Sequence, residues 1–284
     1  MASVSLDKLE LKKPLVDSDE AEGGPSLAGG RQVLSEEGKS SATVLELPSG
    51  YLDETGNLHR EIYLREMDGR DEDILSNQKI SMQSRMNKLT ENCIISIGPF
   101  NKSDPRWPDI VLSLPVIDRL WIIMQIRILT VGPIFSAQVK CPDAECGKYS
   151  QQNVDLNEFE VKGLVEPEKR SYSGTLPKSG KAYVCKIFTG ADEGKLSKVA
   201  QKNKEDLMSL AISSRLLSLD GRPAPSLNEL KSLSVLDRQH LRNMFKKHEG
   251  EIDRSMECTC RFCDLEFTET IDLDTANFFF PSEA

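Results

Sequence analysis

Histidine is scarce in this 284-residue chain, with three copies, and the motifs that usually organise catalysis are missing. There is no G-x-x-x-x-G-K-[ST] to cradle phosphates, no G-x-G-x-x-G after a strand, no H-E-x-x-H and no G-x-S-x-G. His59, His240 and His248 stand in polar settings without an adjacent nucleophile and read as surface residues. A non-enzymatic protein without a small-molecule substrate is expected. Basic blocks are also missing. With 36 basic against 45 acidic side chains the net charge is -9, whereas nucleic-acid affinity draws largely on Lys and Arg displacing counterions. Long uncharged apolar runs are absent too: the richest stretch, 116–137, is interrupted by Asp118, Arg119, Gln125 and Arg127, which excludes a spanning helix of roughly 20 apolar residues. No apolar signal-peptide core opens the chain, so a reducing compartment is expected.

What is present begins with a polar stretch. Apolar residues make up 38%, low for one compact domain, so part of the chain should be unburied. Residues 1–42 fit that part, an acidic segment with Gly23-Gly24-Pro25 and Gly29-Gly30, read as a disordered tail. Residues 166–180, rich in Gly, Pro and Ser, read as a linker. The rest divides into 43–165 and 181–284, and these halves correspond. Residues 61–72 answer to 182–193, matching Gly69 with Gly190, Asp71 with Asp192 and Glu72 with Glu193 at one constant offset. Leu114-Pro115-Val116-Ile117-Asp118-Arg119 answers to Leu233-Ser234-Val235-Leu236-Asp237-Arg238, and each half then reaches a cysteine cluster followed by Asp155-Leu156 or Asp272-Leu273.

Alternation over 60–66 and 182–188 predicts strands. Asp68 and Thr189, three residues before Asp71 and Asp192, predict helix caps; this accounts for Asp68, Asp71 and Glu72 better than a catalytic carboxylate cluster does. Second helices are expected to start near Pro115 and Ser234. The first carries apolar residues on nearly every face and should be the central core helix; the second, from Asp237 to Lys247, has only the narrow stripe Leu241, Met244 and Phe245. Trp107 and Trp121 suit packing better than base stacking.

Seven cysteines are present. Cys141-x-x-x-x-Cys146-Gly147 and Cys260-x-x-Cys263 are two short turns, each offering two thiolates, which suits one tetrahedral zinc. Cys258 lies five before Cys263, the spacing of Cys141 to Cys146, and is the alternative to Cys260 as a ligand. Strand-like flanks, 134–140 and 265–272, suggest a pair of hairpins clasping the ion. Four thiolates leave no open position for water, so the zinc, one per chain, would be structural and would clamp the halves together. Cys93 and Cys185 read as small buried apolar residues. The expected fold class is α+β: two related strand-helix-helix-zinc-knuckle repeats, mainly helical with short antiparallel hairpins, joined by the four-cysteine site Cys141, Cys146, Cys260 and Cys263.

The assembled pattern resembles a known family. Leu47-Pro48-Ser49-Gly50-Tyr51 followed by 59–69, then Asp118-Arg119-Leu120 through Gln125-Ile126-Arg127-Ile128-Leu129 into Val139-Lys140-Cys141-Pro142, and the ending Phe278-Phe279-Phe280-Pro281-Ser282, are similar to baseplate-hub and tail-assembly proteins of contractile-tailed phages and phage-derived injection systems. The motifs occur in order over 43–284. The resemblance implies a component or assembly factor of the baseplate hub, with tail or baseplate proteins as partners, no nucleic acid and no membrane. It implies a location in the cytoplasm of the producing cell or in the assembled tail, and zinc on the paired knuckles. Asp264 stands where that family commonly has Gly. Asp118, Arg119 and Arg127 orient partners in one reading and are internally satisfied helix charges in another. The competing functional readings are a zinc-ribbon nucleic-acid-binding protein, through Lys195, Lys198, Lys202 and Lys204, and a thiol oxidoreductase using Cys260 and Cys263.

Overall fold

The computed structural model describes residues 31–34, 41–271 and 278–280. The first part of the chain runs β1 (Arg31–Leu34), β2 (Ser41–Leu52), β3 (Leu58–Leu64), α1 (Gly69–Ser76), α2 (Met82–Cys93), β4 (Ile94–Ile97), β5 (Phe100–Asn101), α3 (Trp107–Ser113), α4 (Val116–Val131), β6 (Ile134–Lys140), β7 (Tyr149–Asp155) and β8 (Glu160–Lys162). The second runs β9 (Ser171–Thr175), β10 (Ala182–Lys186), α5 (Gly190–Lys202), α6 (Leu207–Ser213), β11 (Leu216–Leu219), β12 (Arg222–Pro223), α7 (Leu227–Ser232), α8 (Val235–His248), β13 (Glu251–Asp253), β14 (Ser255–Thr259) and β15 (Glu266–Thr270). Most of the stretch read as a tail, and Asp272-Leu273, lie outside the described residues. Within 1–42, β1 pairs antiparallel with β2, and within 166–180, β9 pairs antiparallel with β10.

The fold is mixed α and β, with more strand than the short hairpins expected. β1 to β5 form a five-stranded sheet in sequence order, and β9 to β12 form a four-stranded sheet, also in sequence order. After each sheet come two helices, α3 and α4 or α7 and α8, and then a hairpin carrying cysteines: β6 with β7, β14 with β15. β13 pairs with β8 and so stitches the second part onto the first.

Local chemistry explains the helix starts. Asp68 accepts from the Arg70 N–H while Asp71, three residues on, accepts from the Asp68 N–H at 3.0 Å, a reciprocal cap at the positive end of α1. Asp192 accepts from the Thr189 N–H and hydroxyl in the same way at α5. Each capping aspartate also takes a cation from the preceding strand region, Arg65 on Asp71 at 2.6 Å and Lys186 on Asp192. Ser234 caps α8 by accepting from the Asp237 N–H, and Pro115 occupies the equivalent place before α4 without a side-chain bond.

The larger core surrounds α4, where Trp121, Ile122, Met124 and Ile126 are wholly buried; burying one such side chain is worth about 1.5–3 kcal/mol. Trp107 is buried too. Residues from the end of the chain, Ile252, Ile271 and Phe278, enter this same core. A smaller core holds Tyr183, Cys185, Leu230, Leu241 and Phe245. Cys93 and Cys185 are fully buried, and burial pushes each thiol up to about 12.

Three charged residues of α4 are buried and bonded from within, with only the Arg119 Nε left without a hydrogen-bond partner among the described residues. The Asp118 carboxylate accepts from the backbone N–H of Ser49 at 2.8 Å and of Gly50 at 2.7 Å; burial nonetheless pushes it up to about 7. Arg127 donates to the carbonyls of Phe278, Gly132 and Ile134. Arg119 donates to the Val111 carbonyl and to Asn87. The second part repeats this wiring. Asp237 accepts from the Lys178 N–H at 2.8 Å, and Arg238 donates to the Leu230 carbonyl and to Ser209.

Candidate metal centre

Two hairpin ends bring the cysteines together. β6 and β7 pair in unbroken register from Ile134↔Asp155 to Lys140↔Tyr149, which holds Cys141 at the tip, where its N–H donates to the Lys148 carbonyl. β14 and β15 pair from Ser255↔Thr270 to Thr259↔Glu266, and the Cys260 N–H donates to the Leu265 carbonyl. Both turns then close alike: Gly147 N–H donates to the Asp143 carbonyl at 2.8 Å, and Asp264 N–H to the Cys260 carbonyl at 2.9 Å. Gly147 has φ +53° and Asp264 φ +56°. Asp is among the non-glycine residues that tolerate this left-handed conformation, which is how Asp264 stands where glycine is usual.

The sulfurs of Cys141, Cys146, Cys260 and Cys263 all lie within 4.8 Å of one another. Two pairs span the hairpins, Cys141 to Cys263 and Cys146 to Cys260, each at 3.7 Å. Zinc–sulfur bonds of about 2.3 Å in a tetrahedron put sulfurs about 3.8 Å apart, so the spacing fits one such ion. Electrostatics point the same way. Backbone N–H groups aim at the sulfurs, and that of Phe262 draws the Cys260 thiol down to about 7. Cys263 goes the other way, up to about 12: the Leu265 N–H favours its thiolate, but lost hydration and the sulfurs of Cys260, Cys141 and Cys146 outweigh it. Four crowded thiols cannot all ionise unless a cation joins them. The group could hold a metal ion and is compatible with zinc.

Cys258 sits apart from this group. It is buried in β14 opposite Phe267, packed in the larger core, with its thiol near the Met256 carbonyl. Its neighbour Thr259 takes part instead, accepting at its carbonyl from Gln152 of β7 at 3.0 Å. Lys148 lies 4.7 Å over the Phe262 ring, so the hairpins touch through more than the sulfurs. These two contacts were invisible in sequence spacing, since they join residues more than a hundred apart.

The histidines are engaged elsewhere. His59 pairs with Asp53 at 2.9 Å beside Tyr51 and Phe100, His240 meets the Tyr183 hydroxyl at 3.1 Å, and His248 stacks on Tyr172 at 4.1 Å. Lys195, Lys198 and Lys202 lie on α5. Among the described residues, no helix is long and apolar enough to cross a membrane.

Residues 43–175 match the family model described as T4 bacteriophage base plate protein. The match supports the phage-baseplate part of the resemblance over that segment, which runs from β2 through β9 and contains Cys141 and Cys146 but not Cys260, Cys263 or the ending 278–282. No curated protein and no solved structure matches the chain. The family indicates a structural or assembly role in a tail baseplate.

Proposed function

With the baseplate-family match over residues 43–175 as premise, we propose that the chain is a non-enzymatic component or assembly factor of the baseplate hub of a contractile phage tail or phage-derived injection system, held in shape by one structural zinc. The family match carries this reading. The four-sulfur group supports its metal part: Cys141 and Cys146 come from one half and Cys260 and Cys263 from the other, so an ion there would tie segments 114 and 122 residues apart. When bound, the ion would supply folding energy and no chemistry, because four thiolates fill a tetrahedral shell. The partners are other tail or baseplate proteins, met in the cytoplasm of the producing cell or retained in the particle.

The halves 43–165 and 181–284 are, in this reading, copies of one ancestral unit, with 166–180 between them. Support comes from the matching order of sheet, helices and cysteine hairpin, and from the repeated wiring of Asp71 and Asp192, Asp118 and Asp237, Arg119 and Arg238.

Deleting the gene should yield sheath and tube material without finished baseplates. Mass spectrometry of purified mature particles would then separate a resident hub subunit, present at fixed stoichiometry, from a departing assembly factor. Normal infectious or contractile particles from the deletion strain would refute the proposal.

A further inference from the structure

A contact made inside the chain has a matching half-contact left open at each end. Where the two parts meet, Val116 N–H donates to the Phe188 carbonyl at 3.1 Å and Gly190 N–H donates to the Leu114 carbonyl at 3.2 Å, a small antiparallel bridge around Pro115 and Thr189. The start of α5 thereby covers the start of α4, and Ile117 is 6% exposed. Gly190 is buried there because Arg119 lies across it: a Cβ would come within 2.6 Å of Arg119 Cδ. Glu193, one turn on, faces Arg119 at 4.0 Å.

Among the described residues, nothing covers the corresponding groups at the far ends. Val235 and Leu236, matching Val116 and Ile117, are 76% and 60% exposed. On α6, which packs against α8, Leu207 and Met208 are exposed as well. Arg238 is wired as Arg119 is but has no acidic partner among the described residues. At the other end Gly69 is exposed, starts α1 as Gly190 starts α5, has an ordinary φ, and has nothing within 4 Å of where a Cβ would be. Glycine is a poor helix former, and nothing among the described residues requires it at this first helical position. Among the described residues, neither the Val235 N–H and Leu233 carbonyl nor the Gly69 N–H and Met67 carbonyl has a backbone partner outside its own helix.

We propose that a second copy of this chain docks on the Val235–Leu236 shoulder with its own Met67–Gly69 segment, repeating the internal α4–α5 contact between chains. Val235 N–H would donate to the partner copy's Met67 carbonyl, the partner copy's Gly69 N–H to the Leu233 carbonyl, and Arg238 would lie over that glycine facing Glu72. The occupant is a second copy because this chain already carries the complementary glycine, acid and backbone groups, with no use for them among the described residues. The contact is heterologous, so it propagates head to tail into a ring or a filament. It rests on the correspondence of the two halves and not on the baseplate role.

The test is independent of particle biology: sedimentation velocity and light scattering on the purified full chain. Wild type should rise above its 31.7 kDa monomer mass with concentration. V235E/L236E should be monomeric, Gly69→Trp should be monomeric, and both should melt as wild type does, since the altered residues are exposed. An equimolar mixture of the two should form a one-to-one dimer and stop there, because one variant keeps only the shoulder and the other only the glycine end. A wild type that stays monomeric, variants that assemble as wild type does, or a mixture that remains monomeric would each overturn the proposal. Gly190→Trp separates the causes of failure. If it lowers the melting temperature while wild type is monomeric, the internal contact is real and only its repetition between chains fails; if it is silent, the internal contact on which the docking is patterned fails.

Discussion

α4 and α8 occupy corresponding places in the two parts, α8 capped by Ser234 and α4 entered from Pro115 without a side-chain cap, each holding an inaccessible aspartate against backbone N–H groups of a preceding segment, each sending an arginine back eight residues. Their surroundings differ. α4 is buried on almost every face and receives residues from both halves, whereas α8 buries only Asp237, Leu241 and Phe245. The polar wiring is therefore what the halves share, and hydrophobic burial is where they part. An uncompensated buried polar group costs more than an exposed apolar one gains, so wiring tolerates change less readily than a packing face does.

The comparison can be broken most sharply at the cysteines. If the proposed zinc is bound, stripping it with a strong chelator should cost folding free energy on the order of 10 kcal/mol at the linked hairpins and turn one melting transition into two, and Cys146→Ser should shift melting the same way by less. Calorimetry with metal analysis checks this; an unchanged melting curve after complete metal removal would refute the clamp. A smaller effect separates the caps. Asp71→Ala leaves Arg65 beside an emptied, fully buried site and should cost about 3–5 kcal/mol, whereas Asp192→Ala should cost less, because Lys186 is a third exposed and can return to water. Urea midpoints of the two variants would show it, and equal losses would contradict it.

The smallest effect lies in the pH dependence of the matched aspartates, and the signs are opposite. Asp118 is held above its ordinary value of 3.8 by burial, so ionising it penalises the folded state and stability is lost as pH rises from 3.8 towards about 7. Asp237 is held below its ordinary value: the Lys178 N–H, with Ser234 and Ser179, outweighs its desolvation, so its contribution is present at neutral pH and lost on acidification. Asp118→Asn should flatten the first slope and Asp237→Asn the second in denaturation followed from pH 3 to 8. The same slope change in both variants would show that the two sites do not differ in this way.

Much of the scaffold was legible because its signals are local. Asp68 and Thr189 predict helix starts by capping, Pro115 and Ser234 mark the starts of α4 and α8, and 134–140 reads as the strand that became β6. The cysteine spacing narrowed the group to Cys141, Cys146, Cys263 and either Cys260 or Cys258, and the fold brings together the sulfurs of the set with Cys260. Pairings across long separations were not legible. β8 and β13 are three residues each, too short for a periodic signal, and Arg127 carries no sequence mark of its bond to a carbonyl 151 residues away. The short helices α3, α6 and α7 escaped for a similar reason, having two turns or fewer over which to show a stripe.

That last bond has a consequence for synthesis. Phe278 fills the core around α4, against Phe135, and its carbonyl accepts the Arg127 Nε–H. Arg127 is synthesised 151 residues before Phe278. Until Phe278 emerges, the guanidinium waits without one of its acceptors and the hydrophobic centre around α4 stays open. The part made first is thus completed only by a segment made much later, and a substitution at Phe278 opens the centre around α4.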